Sequence, residues 1–226
     1  MPRVNDEYYE KKRNEIIEAA YRVCVRKPIT SVEMKDVIAE TGFSHGAIYR
    51  YYKDLDEVLL DLVISVNSRN RIDDKLDQII EEGKGKNWEI VIRNVFKMLS
   101  DYMLEVGIDV QKLSLHCDML AMSDPDRVDR ISQKLGKDNQ SPLIYLVARL
   151  SEYLNSMIRD NDLSPKKTVD EIIQYIIVTY HGIQAGFVLS GCFKTEYMEG
   201  KYKPEEMFSC LADSVILMMG GNDDVL

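Results

Sequence analysis

The stretch Met34-Lys35-Asp36-Val37-Ile38-Ala39-Glu40-Thr41-Gly42-Phe43-Ser44-His45-Gly46-Ala47-Ile48-Tyr49-Arg50-Tyr51-Tyr52-Lys53 decides how this chain is read. It predicts two short helices around a glycine-centred turn. Gly42 stops the first, because the left-handed position after a helix favours glycine. Ser44 is placed to cap the second. That second helix is too short and too polar on one side to be core filler. A helix, a tight turn and a helix carrying hydroxyl and basic groups together make the helix-turn-helix that enters the major groove of DNA.

Working outward, nearly every segment reads as helix. Ile16, Ile17, Ala20, Val23 and Cys24 recur at helical spacing from Asp6 to about Lys27, and Pro28 ends that run. Thr30 with Glu33 has the pattern of a capping box for the next helix. The recognition helix is expected to reach Lys53. Asp54 is expected to cap a long fourth helix from Asp56 to about Glu82, with Val58, Leu59, Leu62, Val63 and Val66 on its inner face. Beyond the Gly83–Lys86 linker, Trp88 opens a helix that Gly107 breaks, and another runs to about Met122. Asp124-Pro125 is a strong start signal. Helices over Leu143–Asp160, Lys167–Leu189 and from Pro204 to near Gly220 complete the chain. No β-alternation is long enough for a strand. The fold class predicted is all-α, with about nine or ten helices.

Composition narrows the function. The 226 residues suit one large or two small domains, and the net charge of -9 argues against a general polyanion binder. Residues 1–66 carry 10 Lys+Arg against 12 Asp+Glu, net -2; the remaining 19 and 26 give -7. DNA contact is therefore expected at the N-terminal end, with the acidic remainder kept off the duplex. Cys24, Cys117, Cys192 and Cys210 form no paired motif, so neither a zinc site nor a disulfide framework is indicated. With no leader and no apolar run of about 18 residues, a cytoplasmic protein without a membrane partner is expected. No phosphate loop, nucleophile elbow or zinc-protease motif stands out, so no catalytic residue, metal ligand or cofactor is assigned.

Here the sequence resembles a family. Residues from about Glu15 to Leu62 are similar to the DNA-binding domain of TetR-type transcriptional regulators. The match is carried by Met34-x-x-Val37, Thr41-Gly42-Phe43-Ser44-x-Gly46-x-Ile48-Tyr49-x-Tyr51-Tyr52 and Asp54-x-Asp56-x-Val58-Leu59. Three positions depart from the family pattern. Leu55 stands where a phosphate-binding lysine is common, Lys27-Pro28-Ile29 replaces a glycine-aromatic pair, and Ala47 replaces a common threonine.

The first turn of the recognition helix, Ser44, His45, Gly46 and Ala47, is the end that approaches base edges. The Ala47 methyl is suited to a thymine methyl. The resemblance places Tyr49 and Tyr51 against phosphate and Tyr52 in the core. Arg50 and Lys53 add charge near the backbone, and Thr30, Lys35 and the helix-one cations are candidate anchors.

The resemblance further implies a three-helix head over 1–54, a connecting helix over 55–82, and a ligand-binding and dimerisation domain over 83–226. Its effector-site candidates are Tyr102, Met103, His116, Cys117, Met119, Met122, Tyr145, Met157, Tyr180 and His181. His116 and Cys117 point about 100° apart on a helix, a poor arrangement for a shared metal. Ile176, Tyr180, Ile183, Phe187, Leu211, Val215 and Met218 are the dimer candidates. The expected protein is a homodimeric repressor that binds a pseudo-palindromic operator in double-stranded DNA and is released by a small apolar or amphipathic effector. The alternative is an architectural DNA-binding or helical interaction protein that senses no ligand.

Overall fold

A computed structural model describes residues 6–136, 139–160, 163–192 and 202–221. Among these there are ten α-helices and no strand. They are α1 (Asp6–Arg26), α2 (Met34–Thr41), α3 (His45–Ile48), α4 (Leu55–Arg69), α5 (Asp73–Glu82), α6 (Trp88–Ser123), α7 (Pro125–Ser132), α8 (Pro142–Asp160), α9 (Val169–Cys192) and α10 (Pro204–Met218).

The chain forms two compact units that it enters twice. The first comprises residues 1–70 and 112–140; the second comprises 71–111 and 141–226. Packing therefore cuts the chain differently from the contiguous division 1–54, 55–82 and 83–226. The expected helix over 56–82 is two helices. Asn70 leaves helical geometry at φ -122°, ψ 42°, and its side-chain amide donates to the Val66 carbonyl at 2.7 Å. Such a local bond competes with the backbone ladder and ends α4. Ile72, two residues on, is buried in the core of the second unit.

In the first unit, Ile16, Ala20 and Cys24 of α1 meet Val37 and Ile38 of α2, Ile48 of α3, and Val58, Leu59 and Leu62 of α4. Leu113 and Leu120, from the far half of α6, belong to the same core. Gly107, with φ 77° and ψ 174°, interrupts α6 at the position where the sequence places a break. Asp124 caps α7 by accepting from the Arg127 amide at 3.1 Å, and Arg127 Nε in turn donates to Asp56 at 2.7 Å.

The second unit is built on α9. An 18-residue window of this helix has a mean hydropathy of 1.4, apolar enough by length and composition to cross a membrane, which corrects the expectation of no such run. Part of that character serves the core, where Ile172, Ile176, Tyr180 and Ile183 pack with Leu150 and Leu154 of α8 and Phe208, Leu211 and Val215 of α10. The buried Gln184 amide donates to Gln111 Oε1 at 2.7 Å. A polar pair of this kind is tolerated inside because its members satisfy each other.

Candidate nucleic-acid interface

The turn is assembled by local bonds that its residue types dictate. Gly42 ends α2 with φ 69°, and its N–H donates to the Ile38 carbonyl. A side chain there would be strained whatever the space around it. The Thr41 hydroxyl accepts from the Phe43 amide at 3.1 Å, fixing the chain between the helices. Ser44 caps α3, its Oγ accepting from the Ala47 amide at 3.3 Å. The helix-start signal at α2 acts three residues later than Thr30 predicts. Residues Ile29–Ser31 form a 3-10 turn, and the Glu33 amide donates to the Asp36 carboxylate at 2.8 Å. Thr30 is left exposed on that turn, with no capping role.

The regular recognition helix is a single turn, shorter than the sequence suggests. After Ile48 the chain tightens, with the Tyr51 and Tyr52 amides both donating to the Ile48 carbonyl. The reason is Tyr52, only 2% exposed, which is drawn into the core so that Asp54 can start α4. What remains outside is a compact cluster: Ser44, His45, Gly46, Tyr49 and Arg50 are exposed, and Ala47 is half-buried. Gly46 has no neighbour where a Cβ would stand, so this face is open to a groove.

The two tyrosines assigned to phosphate differ. Tyr49 is 52% exposed. Tyr51 is half-buried, its ring 4.8 Å from that of Tyr9 on α1, which makes its packing role plain.

Many cations of this unit are held by its own carboxylates. Arg22 and Arg26 both bond Glu40, whose pKa is lowered by Arg22 first and Arg26 second. Lys27 meets Asp36 at 2.6 Å and likewise lowers its pKa. Lys35 pairs with Glu33 at 2.7 Å, and Lys53 lies 3.7 Å from Glu57. Lys12 bonds Glu15, and Arg13 bonds Asp61. Of the helix-one cations expected as anchors, Lys12, Arg13, Arg22 and Arg26 are thus engaged within the protein. Arg50 is exposed and has no ion-pair partner among the described residues. A groove beside α1 is lined by five glutamates, Glu7, Glu10, Glu15, Glu18 and Glu40, against two cations, Lys11 and Arg22, so its wall is net acidic and disfavours a phosphate backbone.

The effector candidates divide between the two units. His116, Cys117, Met119 and Met122 belong to the first unit, whereas Tyr102, Met103, Tyr145, Met157, Tyr180 and His181 belong to the second. His116 is structural: its Nδ1 lies 3.0 Å from the Cys24 carbonyl, so that nitrogen carries the proton. Met119 and Met122 face solvent, and Met103 is fully buried core. Tyr145 donates to Asp77 at 2.7 Å. Tyr102 is half-buried, and burial pushes its phenol up to about 12. Tyr180 and His181 have ring centroids 6.1 Å apart. Among the described residues, no group of His, Cys, Asp and Glu could hold a metal.

The dimer candidates also need correction. Ile176, Tyr180, Ile183, Leu211 and Val215 are buried within their own chain, and Phe187 and Met218 are packed against that core. The first five have almost no surface left to offer a partner, while Phe187 and Met218 are half-buried. The apolar periodicity that singled them out marks the inner face of α9 and α10. The outer face carries Tyr175, Val178, Gly182 and Leu189 on α9, and Met207 and Cys210 on α10, all exposed.

Residues 16–62 match the family described as bacterial regulatory proteins, tetR family. The HTH-type transcriptional regulator YfiR of Bacillus subtilis (strain 168) is 22% identical over 182 residues, covering 80% of this chain and 82% of that protein. A TetR-family regulator from Syntrophomonas wolfei str. Goettingen shares the fold at a TM-score of 0.61 and 15% identity, over 96% of this chain and 99% of the other. The regulator FadR of Bacillus subtilis, solved with stearoyl-CoA, gives a TM-score of 0.60 at 16% identity over 92% and 98%. The sequence match falls on the residues that build the turn and its cap, so residues 16–62 are similar to the DNA-binding segment of the tetR family of bacterial regulatory proteins.

Proposed function

We propose that this regulator is a homodimeric repressor whose heads occupy successive major grooves of a pseudo-palindromic operator, and that a small effector releases it. The observation carrying the DNA reading is the exposed cluster of His45, Gly46, Tyr49 and Arg50, set on a turn fixed by Gly42 and Ser44. Ser44 and Ala47 complete the base-facing turn; Lys35, Lys53 and Thr30 lie at its margins. Two-fold symmetry would place paired recognition helices about 34–36 Å apart.

Dimerisation is supported by the outer face of α9. Val178 is 72% exposed and Gly182 has open space where its Cβ would be, a combination that suits close approach of a second copy. Tyr175 and Leu189 of the same helix are also exposed, so apolar surface on α9 lacks cover within the chain.

For the effector, the second unit offers buried polar atoms without partners among the described residues: Ser100 Oγ, Tyr153 Oη and Gln184 Oε1. Buried atoms of this kind gain most from a ligand's polar group. Tyr102, Met157, Tyr180 and His181, packed in the same unit, are retained as candidates to meet its apolar part. FadR's stearoyl-CoA complex makes an amphipathic effector the class to test first. Release then follows from a differential affinity of effector for two head arrangements, a coupling of about 1–3 kcal/mol.

The test is footprinting on DNA flanking the protein's own gene. Two protected half-sites one helical turn apart are expected, and Tyr49→Phe should weaken protection without altering helical content. Absence of any protected site there, with binding equal to that of unrelated DNA, would overturn the repressor reading.

A further inference from the structure

A cavity is lined by residues of the head-bearing unit. Ile29 from the 3-10 turn, Leu59 and Val63 from α4, Leu120 from α6 and Ile131 from α7 contribute to its wall. Its volume is about 150 Å³. No charged side chain lines it; the single side-chain oxygen is that of Ser132, an exposed residue at its rim. Cys117 adds a sulfur to the wall, and burial pushes that thiol up to about 12, so it is a neutral apolar surface and not a nucleophile.

These properties select the occupant. A water molecule needs two to four polar partners to be held in a cavity, and this wall supplies one hydroxyl and a weak thiol. Apolar cavities on the order of 150 Å³ lined by aliphatic side chains stay dry and accept a benzene-sized guest. We propose that this cavity is a binding site for a small apolar molecule of that size, a single ring or short branched hydrocarbon group, separate from the effector site of the second unit.

Its position gives the site a consequence. Ile29 stands just before α2 and Leu59 just after the recognition segment, so an occupant touches the chain where it enters and leaves the helix-turn-helix. The Arg127–Asp56 pair ties α7 to α4 beside it, which keeps the wall assembled.

Toluene is the probe, with ¹³C-methyl NMR of the full-length protein as the readout. Millimolar toluene should shift the Leu59, Val63 and Leu120 methyl signals saturably while leaving Ile176 and Val215 of the second unit in place. Val63→Phe, which fills the space, should abolish those shifts. Ser132→Phe, which starts from the surface and threatens folding least, should reduce them and serves if the first variant does not fold. Unmoved cavity methyls in the wild-type protein, or shifts that persist in the folded filled variants, would overturn the site. No DNA enters this measurement, so its outcome is independent of whether the operator reading holds.

Discussion

The phenol of Tyr52, at the end of the recognition segment, donates to Asp61 Oδ2 on α4 at 2.9 Å. Arg13 of α1 pairs with the same carboxylate and lies over the Tyr52 ring, 5.3 Å from its centroid. Burial, with Asp61 beside it, holds the Tyr52 pKa well above its ordinary value, so the O–H stays a donor at every physiological pH. One carboxylate thus joins three elements of the head: α1, the segment after α3, and α4.

Tyr52→Phe removes the bond but leaves Asp61 its arginine, and should cost about 1 kcal/mol by urea unfolding. Asp61→Ala should cost more, because it orphans both a buried hydroxyl and a cation. Equal destabilisation by the two changes would show that Asp61 does not act as the shared anchor.

The turn was legible because its signals are local. Gly42 needs a left-handed conformation, Ser44 caps a helix whose first turn follows it, and Asp54 does the same for α4; each acts within four residues. What escaped depends on long-range competition. The apolar run from Asp56 to Glu82 reads as one helix because nothing in its period announces that Leu62 and Ile72 enter different cores. Likewise, Ile176 and Val178 are both apolar residues of one helix, and periodicity sets them on roughly opposite faces without saying which face is already covered. Arg13, Arg22 and Arg26 of α1 looked free because their partners, Glu40 and Asp61, are 14 to 48 residues away in sequence.

Internal pairing of the head's cations should make operator binding less salt-dependent than the lysine and arginine count suggests. Lys35 is held by Glu33 across 2.7 Å on the exposed start of α2. Glu33→Gln releases that lysine for phosphate, and should tighten DNA binding a few-fold at low salt. If one further phosphate is then neutralised, the slope of log K against log salt steepens by about 0.9. Titrations by fluorescence anisotropy at several salt concentrations measure it, and an unchanged slope would remove Lys35 from the contact set.

His116 makes the head sensitive to acid. Burial lowers its pKa from 6.5, with Lys112 adding to the effect and the bond to the Cys24 carbonyl opposing it. The unfolded chain therefore takes up a proton at a pH where the folded protein does not. This stabilising contribution is complete above 6.5 and is lost as pH falls toward the lowered folded-state value. His116→Gln retains an N–H for the Cys24 carbonyl without a titrating ring. Thermal melts from pH 7.5 to 5 should show a smaller fall for the variant; parallel curves would contradict the assignment.

The two faces of α9 separate dimerisation from folding within two residues. Val178 is exposed and Ile176 is buried against α8 and α10. A charge at 178 meets water in the monomer and is desolvated only against a second copy, so Val178→Glu should yield a folded monomer at micromolar concentration. Its helical circular dichroism should match wild type, and its operator affinity should collapse with the loss of the paired heads. Ile176→Glu buries an unpaired carboxylate in the core and should prevent cooperative folding of the second unit, because such a charge costs several kcal/mol. Sedimentation with circular dichroism distinguishes the two. A Val178→Glu protein that remains dimeric would move the interface to another face.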